Sequence, residues 1–152
     1  MTHYPLLFLF KDRLTVRDDL VEVTGRGRVL AVQEPEGWWL YGVTPGDLAE
    51  SGGTSAEAVA AFRKTFSEVL QDIAASVVNF HEFEVEVRDF FTSNQAREHD
   101  WLAAVQAVRQ GQVVLNDLPR LAADTPVSVE VRVIGRAANR LTLDETPMAL
   151  AA

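Results

Sequence analysis

An amphipathic helix over residues 54–75 constrains this chain more than any other stretch. Thr54 followed three residues later by Glu57 predicts a capping box, in which each side chain bonds the other residue's backbone N–H. Val59, Phe62, Phe66, Val69, Leu70 and Ile73 recur at three- and four-residue steps and share one stripe. Arg63, Lys64, Glu68, Gln71 and Asp72 face away from it. Such a stripe has to lie on another apolar surface, and the flanking residues offer a small sheet.

Ahead of the helix, the six apolar residues from Pro5 to Phe10 read as a strand, being too few for a membrane span or a signal core. Residues 14–17 predict a short strand and Asp18-Asp19 a turn. Residues 20–24 alternate, and Gly25-Arg26-Gly27 suits a hairpin bend before the run at 29–32. A second turn at 34–37 leads into the aromatic strand 38–43, and residues 44–53, with Pro45 and three glycines, read as a loop. After the helix, Phe83, Val85 and Val87 alternate with Glu82, Glu84 and Glu86, which predicts a strand with one wet face. The expected fold class is therefore α+β: an antiparallel sheet of hairpins against one long helix, in the order β-β-β-α-β, over residues 1–91.

Residues 92–152 form an expected extension, either part of the same fold or an oligomerisation element. Thr92-Ser93-Asn94 caps a second helix in which Trp101, Leu102, Val105 and Val108 fall at helical spacing and Gly111 ends the run. Residues 113–115 are a short apolar piece. Val127, Val129, Val131 and Val133 alternate with polar residues, a strand able to pair with 82–88 or with another copy, and residues after Ile134 read as a loosely held tail.

The net charge is −8, unevenly spread: residues 1–99 carry 9 basic and 16 acidic residues, residues 100–152 carry 5 and 6. An acidic body repels phosphate backbones and attracts basic proteins. Cysteine is absent, which removes disulfides and thiolate metal sites and suits a reducing cytoplasm.

No reaction chemistry is legible. The turn Ser51-Gly52-Gly53-Thr54 lacks the lysine of a phosphate loop, and Glu82, Glu84 and Glu86 read as a solvent face before they read as a cation site. His3, His81 and His99 sit in no catalytic motif. No cofactor and no metal are expected. Trp38 and Trp39 point to opposite sides of their strand, so one packs under the helix while the other is either an interface anchor or covered by Trp101. Arg132, Arg136 and Arg140 recur every four residues and are the candidate DNA contacts, although Gly135 interrupts them.

Residues 20–91 resemble the HicB-like antitoxin family. Trp38-Trp39-Leu40-Tyr41 stands for its aromatic strand, Pro45-Gly46-Asp47-Leu48 for its loop, and Gly53-Thr54-Ser55-Ala56-Glu57-Ala58 for its helix start. The order of the loop residues departs from the family's, and residues 92–152 carry neither of its usual DNA-binding patterns. The resemblance implies a fold like a cut-down ribonuclease H and a non-catalytic module that sequesters a small basic RNA-cleaving toxin. Trp38, Trp39, Tyr41, Asp47 and Glu50 would meet that partner. Two other readings stay open: a stand-alone protein of this fold that forms homo-oligomers through residues 127–133, and an enzyme or small-ligand protein.

Overall fold

Two long strands, β1 (Thr2–Val16) and β2 (Asp19–Glu34), pair antiparallel along their whole length and form the ribbon on which everything else is laid. The computed structural model describes residues 2–113, 120–136 and 148–151. The other elements are β3 (Gly37–Thr44), β4 (Ala49–Gly52), α1 (Ser55–Ser76), α2 (Phe80–Phe90), α3 (Gln95–Arg109), β5 (Arg120–Leu121), β6 (Ser128–Arg136) and β7 (Met148–Ala151). One sheet runs in the order β4-β3-β2-β1-β7-β5, with β6 also on β2. Each strand is antiparallel to its neighbours except β5, which lies parallel to β7. The protein is thus α+β, but its element order is four strands, three helices and three strands.

Alternation along the ribbon decides its faces. Leu6, Phe8, Phe10, Leu14 and Val16 of β1, with Val21, Val23, Val29 and Ala31 of β2, form the first face, and α1 and α2 cover it with Phe62, Phe66, Leu70, Phe83 and Val87. Phe8 meets Phe62 and Phe66 edge-on, with ring centroids 5.2 and 4.9 Å apart. Leu7, Leu30, Val32 and Val43 look the other way, under Trp101, Ala104 and Val105 of α3. The apolar run at the start of β1 is continuous because both of its faces are covered there.

The glycines at 25 and 27 do not bend the chain. Phe10 lies opposite Gly25 and Phe8 opposite Gly27 within an unbroken strand. What changes at this point is the partner on the far edge of β2, which is β6 as far as Arg26 and β3 from Arg28 onward. A Cβ at Gly25 would come within 2.1 Å of the Ser128 carbonyl oxygen, and one at Gly27 within 2.1 Å of the Thr44 carbonyl oxygen. Glycine is needed for close backbone approach where the sheet forks, not for a turn.

Residues 82–88 are not a strand but part of α2. Asn79 Oδ1 accepts from Glu82 N at 2.9 Å and so caps the helix, and Glu82 Oε2 accepts from Val78 N at 3.3 Å, one residue before the cap. Phe80, Phe83, Val87 and Phe90 fall on one helical face, with Phe83 and Val87 buried and Val85 43 % exposed. The alternation at 82–88 is real, but over the wider window the helical period accounts for burial and the two-residue period does not. With that strand gone, the expected pairing of 82–88 with 127–133 is gone too. The predicted loop at 44–53 also contains a strand, β4, paired with β3.

Residues beyond 91 complete the same sheet and core. The helix over 95–109 forms as expected, with Asn94 Oδ1 accepting from Arg97 N at 3.1 Å. Of the residues after Ile134 that were expected to form a loose tail, 135–136 continue β6 and 148–151 form β7, buried throughout and lying against β1 at Leu6, Leu7 and Phe8, while 137–147 and 152 lie outside the described residues. Among the described residues, no helix is long and apolar enough to cross a membrane.

Candidate functional site

Alternation along β3 sends Trp38 and Leu40 to the first face and Trp39 and Tyr41 to the second. Trp38 is half-buried beside Tyr4, ring centroids 5.3 Å apart. Trp39 stacks on Tyr41 with centroids 5.8 Å apart and planes 13° from parallel, and it remains 37 % exposed. Trp101 does not cover it. That indole is buried under the middle of the sheet, where its Nε1 donates to Leu6 O at 3.2 Å and the Arg28 guanidinium lies 4.6 Å above its ring.

Arg97, in the first turn of α3, completes the surface. Its guanidinium carbon lies 5.2 Å from the Tyr41 ring centroid, so Trp39, Tyr41 and Arg97 form a row of flat groups. Arg97 Nη1 also donates to the carbonyl oxygens of Gly42, Gly46 and Leu48 at 3.0, 2.9 and 3.3 Å. Those bonds tie the β3–β4 hairpin to α3. Asn94 N on Val43 O at 2.8 Å, Gly46 N on Thr92 O at 2.8 Å and the Thr44–Ser93 hydroxyl pair at 2.6 Å reinforce them. The row is therefore held rigid before anything binds. No motif in the sequence marks Arg97; the only local sign is the Asn94 cap, which puts it in a first helical turn.

The five expected partner-binding residues are divided between the two faces. Trp39 and Tyr41 share the platform, and Asp47 is exposed at the tip of the same hairpin. Trp38 and Glu50 belong to the other side, where Glu50 Oε1 accepts from Thr65 Oγ1 of α1 at 2.6 Å. The Thr54 cap forms, with Oγ1 accepting from Glu57 N at 3.1 Å. Glu57 Oε2 takes its bond from Gly53 N at 3.0 Å, one residue before the position a reciprocal box uses.

The candidate DNA-contact residues Arg132 and Arg136 lie on β6, and Arg140 falls outside the described residues. Arg132 is held by Glu22, with Nη2 at 2.7 Å and Nε at 3.2 Å from Oε1. Glu82 is a helix cap and Glu84 pairs with Arg88 at 3.5 Å, so the three glutamates do not converge. Among the described residues no group of three or more possible metal ligands comes together.

The second face has a further feature beyond the reach of α3. Leu9, Lys11, Thr24, Arg26, Ser128 and Glu130 line an open trough of about 710 Å³ across β1, β2 and β6. Next to it Glu22 is almost fully buried between Arg13 and Arg132. Burial alone would raise its carboxyl, but hydrogen bonds from Arg132 and Arg13 outweigh burial and hold it below the ordinary glutamate value of 4.5.

Fold and surface together define an α+β protein whose forked antiparallel sheet presents a rigid aromatic platform at one edge. No protein-family model matches the chain, and no curated protein or solved structure is significantly similar to it.

Proposed function

We propose that this chain is a non-catalytic binding module that grips a protein partner at the β3–β4 edge. The observation that carries this reading is the Trp39–Tyr41–Arg97 row, in which Trp39 is exposed and Tyr41 and Arg97 are half-buried. Trp, Tyr and Arg dominate interface hot spots, because a flat group held rigid loses little entropy when it is covered. Asp47 at the hairpin tip and the net charge of −8 favour a basic partner and speed its encounter. A small basic toxin, as the antitoxin resemblance implies, is one such partner. The proposal stands on the platform and not on the family, since the strand which that family places after its helix is α2 here.

The test is capture of a basic protein from the native host by the immobilised chain, compared with Trp39→Ala and Asp47→Lys. Trp39→Ala is expected to weaken binding by about 2 kcal/mol, roughly thirtyfold. Asp47→Lys should slow association and reduce its salt dependence. A partner retained equally by all three chains would place the binding surface elsewhere.

A further inference from the structure

Among the described residues no strand pairs with the edge of β6 turned away from β2; the contact there is the half-exposed Arg88 of α2, whose Nη1 donates to Val129 O at 3.1 Å and which a pairing strand would displace. Two of the large apolar side chains most exposed on the protein, Val133 at 45 % and Ile134 at 38 %, lie on this strand. An open regular edge is a template for another strand, and its sequence decides which strand fits. The regular run reads Ser128-Val129-Glu130-Val131-Arg132-Val133 before the bulge. A two-fold axis through Glu130 would set carboxylate against carboxylate, and one through Arg132 guanidinium against guanidinium. An axis through Val131 sets Glu130 opposite Arg132 twice and Val129 opposite Val133 twice.

We propose that a second copy of this chain pairs antiparallel with β6 in the register centred on Val131, continuing the sheet across a two-fold axis. Within one chain Arg13 lies opposite Glu22 and Glu22 opposite Arg132. The second copy's Glu130 extends that row, giving charges that alternate plus, minus, plus, minus across the joint. Each opposite-charge cross-strand pair favours this register over its neighbours. On the other side of the strand the valines of the two copies meet and carry the apolar surface of the sheet across the axis. The contact is isologous, so it closes at two copies. It uses a different edge from the aromatic platform and stands or falls independently of it.

Light scattering on the full chain is expected to give twice the chain mass. Glu130→Arg and Arg132→Glu each set like charges opposite one another twice, and each is expected to weaken the dimer roughly tenfold or more. An equimolar mixture of those two chains restores both opposite-charge pairs and should recover the dimer. Val133→Lys puts a charge on the apolar side of the edge and should give a monomer with an unchanged circular dichroism spectrum. Arg132→Glu sets a second carboxylate beside Glu22; if that chain does not fold, Glu130→Arg and Val133→Lys decide the matter. A monomeric parent chain, a dimer indifferent to these substitutions, or a mixture that fails to recover overturns the pairing.

Discussion

Arg132 closes a two-point hydrogen bond on Glu22 from the neighbouring strand, both nitrogens reaching the same carboxylate oxygen at 2.7 and 3.2 Å. Arg13 takes the other oxygen from the opposite side at 3.0 Å. Glu22 is thereby a nearly buried charge with both oxygens satisfied, the condition under which removing the acid costs more than the pair contributes. Glu22→Gln is expected to lower unfolding free energy by about 1–3 kcal/mol at neutral pH, measured by urea denaturation.

The same carboxyl sets part of the acid limit of the protein. Its folded pKa lies below the unfolded value of 4.5, so the unfolded chain binds the proton more tightly. The stability it contributes is fully present above that value and is lost as pH falls through the folded value. Thermal melts of Glu22→Gln should show a shallower acid limb than the parent, and an identical limb would contradict the assignment.

Asp12 works in the opposite sense. It sits on the helix-covered face of β1 at 8 % exposure, where Ser67 Oγ donates to its Oδ2 at 2.7 Å. Burial raises its pKa above 3.8, and neither the Ser67 bond nor the nearby Arg63 charge fully offsets this. The folded state therefore holds this proton more tightly than the unfolded chain. Its contribution favours folding at low pH and declines as pH rises from 3.8 through the folded value. Asp12→Asn keeps an acceptor for Ser67 and should flatten the stability profile across the weakly acidic range.

The fork in the sheet predicts a contrast between two glycines. Gly27→Ala forces a methyl group to within 2.1 Å of the Thr44 carbonyl oxygen, backbone that cannot yield without parting β2 from β3, and should cost about 2–4 kcal/mol. Gly111→Ala meets nothing within 4 Å and suffers only from its φ of +72°, about 1 kcal/mol. Chemical denaturation of the two variants separates the effects.

Substitutions in α2 distinguish its helical geometry from the alternation of its sequence. Val85 is exposed on the helix, so Val85→Ser should change stability by no more than about 0.5 kcal/mol. Val87 is buried, and Val87→Ala should cost about 2 kcal/mol. Loss of the Asn79 cap in Asn79→Ala should cost about 1 kcal/mol. Equal costs at 85 and 87 would be the signature of a strand.

What could be read in advance was local. The bonds that specify α1 and α3 lie within four residues of their first turns, at Thr54 with Glu57 and at Asn94 with Arg97. The β2–β3 turn carries its own glycine, and β6 its own alternation, so each was legible from a short window. Residues 82–88 satisfied two periods at once, and the cap at Asn79 that distinguishes them lies just outside that window.

The sequence by itself determined which segments are amphipathic and where two of the helices begin, because those properties depend on neighbours a few residues apart. Only the tertiary structure decided which edge each strand shares, that β7 is drawn in beside β1, and that Arg97 reaches carbonyls some 49 to 55 residues away and lies against Tyr41, which in turn stacks on Trp39. Such contacts depend on how two layers meet across the forked ribbon, and glycines 25 and 27, which look like a bend to any local reading, are explained only by the backbones that press against them.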